Sequence, residues 1–235
     1  MQPLSNTLPP TTTPDRPAAS QASDPAPLAA PTLAQVRRSL QRPLPGFAAQ
    51  QRMSPQPRPG SERVLKAGLN CRHAGVLVLL YPGSTGELTL VLTRRTETVN
   101  HHRGQISLPG GLVEAGETFV AAALREAYEE LGVPSAVVEV LGVLSPVYIP
   151  HSGFCLHPVV GALSQRPTFV PCAGEVAAVI EAPLCQLLDP ATVCYETWDL
   201  HGQPTRVPFY ALGTHKVWGA TAMILAELLA LVAED

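Results

Sequence analysis

The chain has 235 residues, of which 46% are hydrophobic and 15% are charged, which is enough for one core with a tail or for two small domains. Its formal net charge is −3, and this excludes the basic surface that recruits nucleic acid or an anionic membrane. We therefore expect neither a nucleic-acid partner nor a membrane partner. The composition leaves the oligomeric state open.

The search for targeting signals and the pattern of cysteines indicate where in the cell the protein is expected. The apolar run closest to a membrane span, residues 219–233, is interrupted by Glu227 and predicts an amphipathic C-terminal helix. The N-terminus lacks a basic start followed by an apolar stretch, so we expect no signal peptide. The cysteines form no CxxC pair, and we interpret them as reduced thiols of a cytoplasmic protein, in neither a disulfide nor a zinc site. They are Cys71, Cys155, Cys172, Cys185 and Cys194.

The N-terminal region differs in composition from the rest of the chain. The first 60 residues contain 13 of the 25 prolines, and such a segment buries too little apolar surface to become ordered. We expect a disordered tail over residues 1–31, a short helix and linker over 32–70, and the main domain over 71–235. The helix would pack on the domain, with partner binding as the alternative. Its apolar stripe consists of Leu33, Val36 and Leu40.

Short apolar runs separated by turn residues predict the strands of the domain. Residues 74–81 are rich in Val and Leu and predict a buried strand, with residues 87–93 as its hairpin partner. Further strands are predicted at 137–147, 156–163, 176–180, 193–200 and 206–212, and helices at 183–188 and 215–233. Strands around one long helix, with a helix at the end, predict an α/β fold with a mixed sheet.

The long helix is predicted within the most informative segment of the chain. From Gly111 to Val133 the sequence reads G-x5-E-x7-R-E-U-x-E-E-x-G-U, where U is aliphatic. Residues 118–131 contain no Gly or Pro and are rich in Ala, Leu and Glu, which predicts a helix that ends at Gly132. Its core-facing side would consist of Val120, Leu124, Ala127 and Leu131.

Three acidic residues of this helix indicate a metal site. Glu126, Glu129 and Glu130 lie at i, i+3 and i+4, so their carboxylates share one face. Adjacent carboxylates repel one another unless a cation lies between them, and oxygen ligands favour Mg²⁺ or Mn²⁺. Such a cation neutralises a diphosphate and lowers the pKa of a bound water. The alternative is an acidic, solvated helix face, but the glycines, Glu117 and Arg125 in register favour the metal site.

The pattern resembles the Nudix box, the catalytic motif of the Nudix hydrolases. The resemblance implies an α/β/α sandwich with a mixed sheet, in which the box forms a loop–helix–loop, and cleavage of a small molecule, a nucleoside diphosphate linked to a second group. We expect Glu126 and Glu130 to be metal ligands, and Glu129 to be a further ligand or the base that takes the proton of water. Arg125 would orient Glu129, and Glu117 would brace the loop or hold an outer-shell water.

The segment before the box reduces the number of substrates that we expect. Residues 92–111 resemble the L-T-x-R-S-x3-R-x3-G-x3-F-P-G-G signature of the coenzyme A pyrophosphohydrolases, with a conservative Thr96 in place of Ser, Asn100 in place of Arg and Leu108 in place of Phe. The resemblance implies hydrolysis of coenzyme A to 3′,5′-adenosine diphosphate and 4′-phosphopantetheine. Asn100 removes a positive charge from a loop expected to meet phosphate. The expected substrate contacts are Arg95, Asn100, Gln105, Gly110 and Gly111.

Two other functions stay open at this point. One is a Nudix hydrolase of another substrate, such as ADP-ribose or a dinucleotide, which the change at Asn100 keeps open. The other is a non-catalytic Nudix ligand sensor, against which the complete set of box carboxylates argues. Outside the box, Glu175 is a candidate to lie near the metals from a neighbouring loop. His157 lies in an apolar strand and is interpreted as a hydrogen-bonded core histidine.

Overall fold

The computed structural model describes residues 30–58, 71–96, 104–150, 152–200 and 202–233. The tail expected at 1–31 lies outside the described residues except for its last two, as do residues 59–70 of the linker expected before residue 71. In the described part, helices pack on both faces of a mixed sheet, and a smaller antiparallel sheet lies beside it. The described helices include none that combines the length and apolar character required to cross a membrane.

The helices and strands are each numbered in the order in which they occur along the chain. The helices are α1 Leu33–Ser39, α2 Phe47–Gln50, α3 Phe119–Leu131, α4 Leu184–Leu188 and α5 Gly219–Ala233. The strands of the mixed sheet are β1 Arg72–Pro82, β2 Leu88–Arg95, β3 Ile106–Ser107, β4 Gly110–Leu112, β5 Glu139–Val143, β6 Val147–Ile149, β7 Phe154–Ala162 and β8 Val176–Pro183. The strands of the smaller sheet are β9 Val193–Leu200, β10 Gln203–Leu212 and β11 His215–Trp218.

Strand β1 is the centre of the mixed sheet. It pairs in parallel with β7 and antiparallel with β2 and β4, so the predicted mixed sheet and the predicted hairpin are both confirmed. A strand buried on both faces needs apolar residues at every position, which explains the continuous run of Val and Leu in β1. Its side chains alternate between two hydrophobic clusters, with Val76, Val78 and Leu80 on one side and Leu77, Leu79 and Tyr81 on the other.

The two clusters separate two helical layers, which confirms the predicted α/β sandwich. Helix α3 packs on one face, where Ala127 and Leu131 are fully buried. Helix α5 packs on the other face, and α1 and the turn after α2 cover it through Val36 and Met53. Because this N-terminal segment covers α5, ten of its 15 residues are buried, and the prediction of an amphipathic C-terminal helix is wrong.

Two predicted elements have different boundaries in the structure. The single strand expected at 137–147 is divided into a 3-10 turn, β5 and the start of β6. The helix expected at 215–233 begins only at Gly219, because His215–Trp218 form β11 and pair antiparallel with β10. Both differences arise from pairing between strands, which the local apolar pattern does not show.

Cys71 and Cys155 form a disulfide, so the interpretation of all five cysteines as reduced is wrong for this pair. The two residues are 84 positions apart in sequence, but the parallel pairing of β1 with β7 brings their Cα atoms to 5.7 Å. This separation suits a disulfide. Sequence spacing does not show contacts between distant strands, which is why the pair was not predicted. Cys172, Cys185 and Cys194 are free thiols.

Candidate active site

Helix α3, which packs on β1 and β4, has a capping residue at each end. The hydroxyl of Thr118 accepts a hydrogen bond from the backbone N–H of Ala121 at 3.1 Å, as an N-cap residue does. The helix ends at Gly132, which has φ +71° and therefore adopts the left-handed conformation that favours glycine. The predicted helix at 118–131 is thus confirmed within one residue.

Arg125 joins the helix to the loop that precedes it. Its guanidinium donates to the Glu117 carboxylate from Nε at 3.0 Å and from Nη2 at 3.2 Å, and to the Leu112 carbonyl at 2.9 Å. It also donates to Glu126 at 2.9 Å and to Glu129 at 3.0 Å. The contact with Glu129 is the one that the i, i+4 spacing predicts. Arg125 therefore orients three carboxylates of the box.

The Glu117 carboxylate is held inside the loop. Besides Arg125, it accepts a hydrogen bond from the backbone N–H of Glu114 at 3.0 Å. The hydrogen bonds from Arg125, and then that from Glu114, keep the pKa of the Glu117 carboxyl below its ordinary value. These contacts correspond to the first of the two roles expected for Glu117, bracing the loop.

The three glutamates of the shared face have different environments. Glu130 is buried and only 4% exposed, the Glu126 side chain is 16% exposed, and the Glu129 side chain is 54% exposed. Burial raises the pKa of Glu126 above its ordinary value, and it raises the pKa of Glu130 to about 8. Glu126 and Glu130 therefore form a largely buried acidic pair, whereas Glu129 lies at the edge of the site, against Arg125.

The glycines before the box allow strand β4 to approach this acidic pair. A Cβ atom at Gly111 would lie 2.2 Å from Oε1 of Glu126, so a side chain there would displace the carboxylate. A Cβ atom at Gly110 would lie 2.4 Å from the Gly75 carbonyl oxygen. A hydrogen bond from the Gly110 backbone also favours the charged form of Glu130. These glycines lie in a strand rather than in the loop that we expected.

Arg95 lies close enough to Glu130 for its charge to lower the pKa of that carboxyl. Its Nε is buried without a hydrogen-bond partner among the described residues. Its backbone N–H donates to the carbonyl of Gln105 at 3.1 Å, so both residues lie at the end of the β2–β3 pair. Asn100, the other expected contact of this segment, lies outside the described residues.

Glu175 approaches the acidic pair from a neighbouring loop. Its charge further raises the pKa of both Glu126 and Glu130, although burial is the larger cause for each. The loop is held at the end of α3, since the backbone N–H of Cys172 donates to the Glu130 carbonyl at 2.9 Å. The sequence only weakly indicated a role for Glu175, because the residues around it do not show that its loop packs against the end of α3.

The NUDIX domain model matches residues 72–189 of the chain. The chain belongs to the Nudix family. It is therefore a hydrolase that acts on a small phosphate-containing substrate, and Nudix hydrolases generally use divalent metal ions such as Mg²⁺ or Mn²⁺. The pair of Glu126 and Glu130 fits such an ion, because both carboxylates are largely removed from solvent and a Cβ atom at Gly111 would fill the space beside Glu126.

Similar proteins are found among bacterial Nudix hydrolases. The chain is 38% identical over 160 residues to the uncharacterized Nudix hydrolase NudL of Photorhabdus laumondii, covering 68% of the chain and 84% of that protein. It is 39% identical over 172 residues to NudL of Cronobacter sakazakii, covering 72% and 87%. A crystal structure of a Nudix hydrolase from M. smegmatis, RenU, matches with 25% identity and a TM-score of 0.43, covering 51% of this chain and 78% of that one.

Proposed function

We propose that this Nudix protein hydrolyses the pyrophosphate bond of coenzyme A, or of a derivative, to 3′,5′-adenosine diphosphate and 4′-phosphopantetheine. The cytoplasmic location inferred from the sequence is part of this proposal. Residues 92–111 carry the coenzyme A signature, and their described part runs directly into β4 of the site. The observation that carries the proposal is Arg95, a residue of that signature, which lies beside the acidic pair with its Nε unpaired among the described residues.

Arg95 is suited to hold an anionic group next to the carboxylates. A buried guanidinium nitrogen without a partner costs free energy, and a phosphate oxygen offers a charge-assisted hydrogen bond. An arginine at the end of a strand often forms a surface salt bridge instead, but the salt bridges of the described residues do not include Arg95. We therefore assign Arg95 to the diphosphate or to the 3′-phosphate of the substrate.

The acidic pair would hold the divalent cation. When bound, Mg²⁺ or Mn²⁺ neutralises diphosphate charge and lowers the pKa of water in its coordination shell. Glu130 is buried, and the Glu126 side chain is only 16% exposed and lies against Gly111, so these two residues are the proposed primary ligands. Glu175 contributes further negative charge near both carboxylates, which favours a cation at this position.

Glu129 is the proposed base or third ligand. Its side chain is the most exposed of the three and accepts a hydrogen bond from Arg125. An exposed carboxylate is accessible to water, and a partner cation restricts its orientation. Arg125 and Glu117 would act by positioning, because together they connect the loop before α3 to the carboxylates of Glu126 and Glu129.

A parallel turnover assay tests the substrate. Purified protein would be incubated with Mg²⁺ or Mn²⁺ and with coenzyme A, dephospho-coenzyme A, ADP-ribose or a dinucleotide, and the products identified by mass. We expect 4′-phosphopantetheine, released fastest from coenzyme A. Faster cleavage of another compound would replace the coenzyme A assignment and retain the metal site. Absence of turnover with every compound would favour the ligand sensor.

An Arg95→Lys variant separates the role of Arg95 from a structural one. Lysine keeps the positive charge but lacks the planar fork that binds two phosphate oxygens. We expect a KM for coenzyme A raised by about 10-fold, with a smaller change in kcat. Arg166→Lys is the matched control, because Arg166 pairs with Glu181 on the surface. An unchanged KM in the Arg95 variant would contradict the assignment.

A further inference from the structure

Two Cys-x-His pairs lie side by side at the starts of strands β1 and β7. Cys71 and His73 lie at the start of β1, and Cys155 and His157 lie at the start of β7. Residues i and i+2 of a strand point to the same face, and the parallel register places His73 opposite Cys155. Phe119 of α3 stacks on the His157 ring at 3.6 Å between centroids, so all four side chains lie on the α3 side. We name these four residues the Cys–His cluster.

The donor atoms of the Cys–His cluster converge. The ligand atoms of Cys71, His73 and Cys155 all lie within 4.8 Å of one another. Nδ1 of His73 is 2.9 Å from Nε2 of His157 and 4.0 Å from Sγ of Cys71. Tetrahedral zinc, with its usual bonds to sulfur and nitrogen, needs neighbouring ligand atoms about 3.3–3.8 Å apart. The His73 nitrogen therefore needs to move by only a few tenths of an ångström relative to Sγ of Cys71 and Nε2 of His157. The two sulfur atoms separate when the disulfide is reduced, and the His157 nitrogen has to move closer to them, because it does not share the 4.8 Å group of the other three ligand atoms.

We propose that the Cys–His cluster binds Zn²⁺ when its cysteines are reduced, and that the Cys71–Cys155 disulfide is the metal-free state of the same site. A dithiol supplies the two electrons and two protons that convert the disulfide to two thiols, and is itself oxidised to a disulfide. A phosphine does the same with one water molecule, whose oxygen it takes up as the phosphine oxide. The two thiols then lose their protons as Zn²⁺ binds. Oxidation releases the ion, because disulfide sulfur is no longer a thiolate ligand.

The chemistry of the four ligands selects zinc over the catalytic cation. Two thiolates and two imidazoles suit zinc, whereas Mg²⁺ and Mn²⁺ prefer oxygen ligands. The stacked Phe119 fixes the orientation of the His157 ring, as neighbouring groups commonly do for a metal-bound histidine. The site would join the starts of β1 and β7. It would also lie next to the box loop, since the His73 carbonyl accepts a hydrogen bond from Val113 at 3.0 Å.

This arrangement also changes the interpretation of His157. The sequence suggested a hydrogen-bonded core histidine, but the structure leaves the residue partly exposed and close to His73. The sequence signal that identifies the site is the repeat of Cys-x-His at 71–73 and 155–157. One Cys-x-His pair alone does not predict a metal site, because it supplies only two ligands. Only the strand register brings the two pairs together.

Cobalt substitution tests the proposal on the full chain. Protein reduced with a phosphine, with reduction verified by thiol alkylation and mass, would be freed of metal and titrated with Co²⁺. We expect one equivalent to produce a thiolate-to-cobalt charge-transfer band together with tetrahedral d–d absorption, and Zn²⁺ to displace both. The acidic pair cannot produce this band, because its ligands are oxygen atoms. The oxidised protein should show no band.

Variants connect the signal to the four residues. Cys71→Ser and His73→Ala should each weaken Co²⁺ binding by at least about 10-fold, and the exposed position of His73 keeps the fold independent of that change. Cys172→Ser is the matched control, because Cys172 is an exposed free thiol outside the cluster, and it should retain the full band. Absence of a band in the reduced wild type, or a full band in both cluster variants, would overturn the proposal.

Discussion

At the scale of single residues, burial separates glutamates that the sequence pattern treats as equal. Glu126 and Glu130 are enclosed between α3 and β4, whereas Glu129 faces solvent and Arg125. Removing a carboxylate from water disfavours its charged form, and a divalent cation reverses that penalty. The proposed ligands are therefore the two carboxylates whose burial would otherwise be unfavourable.

The first prediction concerns Glu130. Glu130→Gln keeps the shape of the side chain but removes the negative charge, so turnover with Mg²⁺ should fall by at least about 10²-fold while the circular dichroism spectrum is unchanged. Glu114→Gln, an exposed change in the neighbouring loop, should keep wild-type turnover. Near-normal turnover of the Glu130 variant would contradict the metal-site assignment.

The second prediction uses the pKa of Glu130, which burial raises from 4.5 to about 8. The folded protein then binds this proton more tightly than the unfolded chain, so the stability from this group is complete below about pH 4.5 and is lost as the pH rises through about 8. In EDTA, the free energy of unfolding of the wild type should fall relative to Glu130→Gln between pH 5 and pH 8. Urea denaturation at several pH values measures this difference, and a constant difference would refute it.

The third prediction concerns the close approach of β4. In Gly111→Ala the new Cβ atom would lie 2.2 Å from Glu126 Oε1, and the carboxylate has to move. Misplacing a catalytic group by about 1 Å can cost about 10²-fold in rate, so kcat should fall by that order. Gly174→Ala is the control, because a Cβ atom at Gly174 meets no atom within 4 Å. Equal rates for the two variants would show that the contact with Glu126 does not matter.

At the scale of elements, helix α5 depends on the segment before the main domain. Glu227 is fully buried in α5 and accepts hydrogen bonds from the backbone N–H of Gly46 at 3.1 Å and of Ser145 at 3.2 Å, and from Gln50 at 2.8 Å. Arg42 also donates to the Leu231 carbonyl near the end of α5. A charged residue inside an apolar helix is tolerated only with such partners. These bonds hold residues 42–50 onto the core.

The fourth prediction follows from this network. Glu227→Ala leaves several buried N–H groups without an acceptor, and the free energy of unfolding should fall by about 3 kcal/mol. Glu139→Ala removes a carboxylate that pairs with Arg37 on the surface and should change stability little. Urea denaturation of both variants provides the comparison. If the two losses were equal, the buried network would not be what attaches the N-terminal segment.

At the scale of the whole molecule, the described part of the N-terminal segment is continuous with the catalytic domain. Val36 and Met53 belong to the same hydrophobic cluster as α5 and the strands beneath it. The NUDIX match covers only residues 72–189, so both the N-terminal segment and helix α5 lie outside it, and together they cover one face of the mixed sheet. The division of the chain at residues 31 and 70 remains a prediction.

The fifth prediction tests that division. A chain beginning at residue 30 should keep the melting temperature and turnover of the full chain, because it retains α1, α2 and their contacts with α5. A chain beginning at residue 71 uncovers the apolar face of α5 and should melt at a lower temperature or aggregate. Calorimetry on the three chains measures the effect. Equal melting temperatures for all three would show that residues 30–58 add nothing to stability.

Much of the fold and of the candidate site was accessible from the sequence, because the relevant patterns are local. The continuous Val and Leu run predicted the buried strand β1, and the helix α3 was predicted within one residue at each end. The i, i+4 spacing predicted the contact between Arg125 and Glu129. The end of the chain was harder to predict from the sequence, since β11 becomes a strand only by pairing with β10.

The sequence by itself determined the family and the set of box residues, because the spacing of Glu, Arg and Gly on one helix is a property of consecutive positions. Only the tertiary structure decided which glutamates are buried, since their exposure depends on β4 and on the loop carrying Glu175. It also decided the pairing of Cys71 with Cys155 and of their histidines, because the register between β1 and β7 connects positions 84 residues apart. Contacts of that kind depend on chain topology, which no local pattern contains.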